Sequence, residues 1–191
     1  MLFECFINAR IPTFLFQLKK QAWNNFLHNR RFHDKMVLIT PDNKVTKVLP
    51  SKFPFLNPEY TKEAWRLDTR TPVQIMKAGG FNQKHPGIKS VIIENRNEYG
   101  TGNVVSMTTD LQLILGKIQR GEGYQYLANS FCYRFDLTKV GEVIEIPNNK
   151  ELHSSEIITL KGPTRAITHY QEVKDGKLVG GWKPMPIAAW Y

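Results

Sequence analysis

The spacing of apolar and polar positions changes along this chain, and the change divides it. Over residues 14–33, Phe14, Leu15, Leu18, Ala22, Phe26 and Leu27 recur at helical spacing, with Lys19, Lys20, Arg30 and Arg31 on the opposite face. That period predicts an amphipathic helix whose basic face is either solvated or turned to a membrane or partner. The apolar runs "MVLI" and "VTKVLP" come next, then "SKFPFLNPEY", whose prolines and asparagine read as a linker or irregular lead-in. Beyond residue 63 the period shortens to two. Strands are predicted at "AWRLD", "SVIIE", "NVVSM", "SFCYRFDL", "EVIEI", "EIITL" and "AITHYQEV". Helices are predicted at "PVQIMKA" and "DLQLILGKI", the second with Thr109 or Asp110 as its N-cap, and a hairpin about Asp175-Gly176. The expected fold is α+β and mostly antiparallel, with an N-terminal helical extension of unknown role over 1–60 and one compact unit over 61–191.

Composition narrows the classes without choosing among them. With 191 residues, 41% of them hydrophobic and 12% aromatic, the chain has the content of a globular protein with a core. Its 26 basic and 17 acidic residues leave a net charge of +9, which suits an anionic partner: nucleic acid, a phosphorylated cofactor, an acidic protein or a membrane surface. No membrane span is expected, because the most apolar stretch, "MLFECFINARIPTFLF", is broken by Glu4, Asn8, Arg10 and Pro12. The same stretch lacks the basic start and cleavage site of a signal peptide. Cys5 and Cys132 are too few for a disulfide scaffold and lack metal-site spacing, so no metal is expected. Cys132, inside "SFCYRF", reads as a small buried side chain, and a bridge to Cys5 stays open.

Three short motifs carry candidate chemistry. Arg66-x-Asp68-x-Arg70 alternates along a strand, so the three charges share a face. An arginine fork suits phosphate oxygens or a ribose rim, although an edge strand with surface charges gives the same pattern. Ser106-x-Thr108 ends a second strand with two hydroxyls on one side. Hydroxyls there also commonly cap the following helix. Glu156 opens a third strand after the looped "IPNNKELHSS", where a carboxylate can stabilise a developing sugar cation or simply face solvent.

In this order the motifs resemble the Arg/Ser-Thr-Ser/Glu signature of mono-ADP-ribosyltransferases of the cholera and pertussis toxin type. "WRLDTRTPVQIMKAGGF" is similar to that family's opening pattern, "VVSMTT" to its second strand, and "SSEIITLKGPTRAITHYQEVKDGKLVGG" to its glutamate strand and final hairpin. The similarity covers roughly residues 64 to 182. It implies two mostly antiparallel sheets forming a cleft for NAD, the substrate. By this resemblance Arg66 holds the phosphate and ribose part of NAD, Asp68 and Arg70 brace the same wall, and Ser106 orients Glu156. Thr108 stands where the family has its second serine. Glu156 stabilises the oxocarbenium as nicotinamide departs. The implied acceptor is a side chain of a protein such as a host G protein, actin or ubiquitin, reached by a secreted or injected enzyme acting in the host cytoplasm.

Two positions depart from the family. Arginine-modifying relatives carry a second glutamate two residues before the catalytic one, where this chain has Ser154. An uncharged, short hydroxyl cannot pair with an incoming guanidinium, so an acceptor other than arginine is expected. A histidine that some members place after the first motif has only His85 as a counterpart. Two other readings use the same sequence. One is NAD glycohydrolysis with water in the acceptor's place. The other is a basic nucleic-acid-binding domain, favoured by the interleaved aromatics Trp65, Phe81, Tyr124, Tyr126 and Tyr133 but lacking a recognised motif.

Overall fold

Where apolar residues alternate, the chain forms strands, and where they recur every three or four residues it forms short helices. The computed structural model describes residues 36–47, 52–96, 98–147 and 155–186. Its strands are β1 (Met36–Ile39), β2 (Val45–Lys47), β3 (Glu63–Asp68), β4 (Gly80–Asn82), β5 (Ser90–Asn95), β6 (Glu98–Gly102), β7 (Val105–Thr108), β8 (Ser130–Asp136), β9 (Ile144–Ile146), β10 (Glu156–Thr159), β11 (Lys161–Pro163), β12 (Ile167–Lys174) and β13 (Lys177–Pro184). The helices are α1 (Pro72–Lys77), between β3 and β4, and α2 (Leu111–Arg120), between β7 and β8.

The sheets are mostly antiparallel, and the fold class is α+β. Seven strands run in the order β13-β12-β8-β3-β7-β10-β9, and four in the order β2-β1-β5-β6. Within the second sheet β1 and β5 are parallel. The expected two sheets are joined by a third, a ribbon of β4 and β11. Close backbone approach makes this ribbon: a Cβ on Gly80 would stand 2.3 Å from the Gly162 carbonyl oxygen, so only glycine fits there.

Alternation decides what each face of the large sheet buries. Ala64, Val105, Met107, Tyr133, Phe135 and Ile157 meet Ile75 of α1 and Phe81 of β4 on one side. Leu67, Cys132 and Val173 meet α2 on the other, through Leu111, Ile114, Leu115 and Ile118. Those four helix positions form one apolar stripe. Asp110 caps α2, its carboxylate accepting from the Leu113 N–H at 3.0 Å. The turn between β12 and β13 lies against the same helix, with Gly176 beside Ile118.

The division at residue 60 does not match where the core lies. The predicted helix over 14–33 lies outside the described residues. Met36, Leu38 and Phe53, all before the expected boundary, are buried with Ile92, Ile144, Ile146 and Ile158. The described part of that segment is therefore strand and core, because β1 is the parallel partner of β5 and its inward side chains fill the space between the two larger sheets.

Candidate active site

Strand β3 is joined very unequally to its two neighbours. It pairs with β8 from Glu63 to Asp68, but with β7 only at Trp65 opposite Thr108. Past that point Arg66 spans the gap with its side chain, donating from Nη1 to the Ser106 carbonyl at 2.6 Å. The Arg66 and Arg70 guanidinium groups each stand 5.1 Å from the centre of the Phe81 ring. Asp68 accepts from Arg70 Nε at 2.8 Å and Nη2 at 2.9 Å, a forked pair, while Arg66 Nη2 lies 3.8 Å from it. Alternation thus brings Arg66, Asp68 and Arg70 into one cluster.

Electrostatics in this cluster follow from burial and pairing. Desolvation lowers the Arg66 pKa from its ordinary value, against the opposing pull of Asp68. Burial works against the Asp68 charge too, but the hydrogen bonds and charge of Arg70 outweigh it and hold the carboxyl below its usual range. Arg66 Nε is buried and has no hydrogen-bond partner among the described residues. A buried, unpaired cationic donor is costly and marks a place where an acceptor oxygen belongs.

Glu156 is 3% exposed at the start of β10. The β10–β7 register sets Glu156 opposite Thr108 and Ile158 opposite Ser106, so Glu156 and both hydroxyl residues share a face. The Ser106 hydroxyl donates to Glu156 Oε1. A second hydroxyl, from Thr101 on β6, donates to the same oxygen at 3.0 Å. Thr108 is turned to local work: its Oγ1 accepts from the Asp110 N–H at 2.9 Å and lies 3.2 Å from Ser155 Oγ.

These groups line a cleft of about 600 Å³ between the two larger sheets: Ser106, Thr108 and Glu156 from one face of the large sheet, and Arg66 from the gap between β3 and β7. Trp65, Tyr99, Tyr124 and Tyr126 supply aromatic surface to it. A smaller hollow of about 350 Å³ holds Asp68, Arg70 and Phe81, with Arg66, Lys84 and Val104 common to both. Of the aromatics counted toward nucleic acid, Phe81 and Tyr133 are core side chains, so they offer no stacking face.

Other expected positions are placed as follows. Ser154 and Cys5 lie outside the described residues. His85 is exposed and lines neither cavity, and its backbone is bonded to Asn103. Cys132 is a free, buried thiol, its pKa pushed up to about 12 by burial. Among the described residues no three His, Cys, Asp or Glu side chains are grouped to hold a metal ion. No helix among them is long and apolar enough to cross a membrane.

Thr101 is the site residue that reading the sequence missed. Its context, "EYGTG", has two glycines in five residues and looks like a turn, yet glycines at every second position also mark a strand approached closely by other groups. Tyr124, at φ 58° and ψ 19°, is held in the left-handed region, which the preceding "GEG" hints at without specifying. No protein-family model matches the chain, and no curated protein matches it.

Proposed function

We propose that this chain is a mono-ADP-ribosyltransferase with an ADP-ribosyltransferase-like fold, moving ADP-ribose from NAD to a protein side chain other than arginine. One observation carries the reading: a buried carboxylate, Glu156, is fixed by the hydroxyls of Ser106 and Thr101 in the cleft that also receives Arg66. NAD fits the residues present. The cleft volume is within the range of small-molecule sites, Arg66 Nε offers an unpaired donor for a phosphate oxygen, and Tyr124, Tyr126 and Trp65 offer flat faces for rings.

The chemistry asked of these side chains is electrostatic. NAD supplies a cationic nicotinamide whose bond to ribose C1 breaks, the electron pair staying with the neutral ring. Glu156 sets a fixed negative charge beside the positive charge that grows on the sugar. Ser106 and Thr101 keep that carboxylate from rotating away, so no reorganisation is needed as the charge develops. Arg66 holds the phosphate side and closes the wall, with Asp68 and Arg70 bracing it. The acceptor's lone pair forms the new bond to C1 and its proton passes to water. Ser154, two positions before Glu156, leaves the acceptor side without a charge to attract a guanidinium, which favours a hydroxyl, thiol or amide. The same reading implies delivery into a host cell and a target such as a G protein, actin or ubiquitin.

The test is to incubate the protein with NAD labelled in the adenosine moiety and with host-cell lysate, and to follow nicotinamide release and labelled protein together. Wild type is expected to label a protein. The Glu156→Gln variant, nearly isosteric but uncharged, is expected to bind NAD and to lose about 10²–10³ in rate. Equal labelling by the Gln variant would remove Glu156 from catalysis, and nicotinamide release with no labelled acceptor would make the protein a glycohydrolase.

A further inference from the structure

Each large sheet has two outer edges, and three of the four are protected. Strand β13 ends one sheet and carries Lys177, Lys183 and Pro184. Strand β9 ends it on the other side, where Pro54–Leu56 covers it: the Glu145 N–H donates to the Pro54 carbonyl at 3.1 Å and the Leu56 N–H to the Val143 carbonyl at 2.9 Å. Strand β2 ends the four-stranded sheet with Lys47, and Lys44 lies just before it. Lysine, proline and covering segments are the usual means of keeping an edge from pairing with another chain.

Strand β6 has none of them among the described residues. It pairs with β5 alone among the described residues, and its one charge, Glu98, is its first residue, at the turn from β5. Gly100 and Gly102 carry no side chain, and a Cβ at Gly100 would meet nothing within 4 Å. All five residues of β6 line the same cleft as Glu156, and between the glycines Thr101 reaches the Glu156 carboxylate. Among the described residues, the edge of the larger sheets that carries no such guard thus lies along the candidate active site.

We infer that β6 is a docking edge for an extended polypeptide, which pairs with it as an added strand and so presents its modified side chain to Glu156. The residue paired with Thr101 shares its face, and cross-strand neighbours stand about 4.5–5.5 Å apart at Cβ. A chain seated on β6 therefore carries every second side chain past Glu156. Opposite Gly100 the added strand meets open space, so a bulky residue is accepted there, whereas beside Gly102 stands the Val91 side chain. Backbone bonds give affinity with little demand on sequence, the behaviour of strand-addition sites. A nucleic acid has no row of alternating N–H and C=O groups to offer such an edge. The choice of occupant rests on the transferase reading; the docking edge itself does not.

The probe is a displayed library of unstructured twelve-residue peptides, selected on the full chain carrying Glu156→Gln and with no NAD present. Enriched peptides are expected to slow amide hydrogen exchange across residues 98–102 by about tenfold or more. N-methylation at alternate positions of the peptide should abolish binding in one phase and spare it in the other, because an added strand donates from every second N–H. Gly100→Lys should weaken binding about tenfold or more by restoring an edge guard, and Gly100→Ala should change it by less than about threefold. Failure to enrich peptides, protection elsewhere, or indifference to N-methylation would overturn the inference. So would concentration-dependent protection of β6 in the protein alone, which would mean that a second copy occupies the edge. Because no readout uses NAD, an inactive protein that binds peptide in this way would sink the transferase reading and leave the docking edge standing.

Discussion

One oxygen atom, Glu156 Oε1, receives hydrogen bonds from two hydroxyls that arrive from different sheets. A hydrogen bond to a charged group is worth about 1.5–3 kcal/mol, or about tenfold to a hundredfold if the whole of it is felt in the rate. Ser106→Ala and Thr101→Val are each expected to slow nicotinamide release by that order with little change in KM for NAD, and Thr101→Ser should recover most of the loss. A Val variant as fast as wild type would show that Thr101 does not position the carboxylate. Asp68 gives a second test, read in stability. Its folded pKa lies below the usual 3.8, so its contribution is fully present above that value and is lost as pH falls through the lower folded value. Asp68→Asn is therefore expected to be less stable than wild type at neutral pH, with the gap narrowing in acid below about pH 4. A gap that stays constant down to pH 2 would mean that the charge of Asp68 contributes nothing.

At the scale of elements, the β12–β13 turn ties a hairpin to a helix. Gly176 has φ +72°, and an added Cβ would stand 2.7 Å from Ile118 Cγ2 on α2. Gly176→Ala combines left-handed strain with a core clash and should destabilise the fold by about 1–3 kcal/mol in urea unfolding. An unchanged midpoint would show that the turn and helix are not coupled. This hairpin was legible from "KDGK", because turn chemistry is local. So were α1, α2, and the strands bearing Arg66, Ser106 and Glu156, whose side-chain periods are set within a few residues. Strands β4, β6 and β11 were not legible: each is short and glycine-bearing, and each forms only because a distant partner pairs with it. Thr101 went unseen for the same reason, its role depending on a carboxylate 55 positions away. The parallel pairing of β1 with β5 likewise leaves no local trace.

For the molecule as a whole, the question is what folds with what. Met36, Leu38 and Phe53 are 0%, 3% and 0% exposed, and each closes the space between the two larger sheets. Burying one such side chain stabilises by about 1.5–3 kcal/mol. Losing three, together with a strand partner, removes an amount comparable to the whole stability of a domain, about 5–15 kcal/mol. A fragment of residues 61–191 is therefore expected to lack a cooperative thermal transition and to bind a hydrophobic dye. A sharp transition in that fragment would make the first sixty residues dispensable after all. The join between β3 and β7 bears on heredity rather than on energy. Backbone pairing is nearly indifferent to which amino acids carry it, so most of the large sheet can drift in sequence and keep its shape. Where the backbones meet only at Trp65 and Thr108, the bridge is a side chain, and Arg66 is specified by one codon. A single base change can thus open a seam that no other strand boundary of this sheet exposes to chance, which ties continuity of the architecture to continuity of the site.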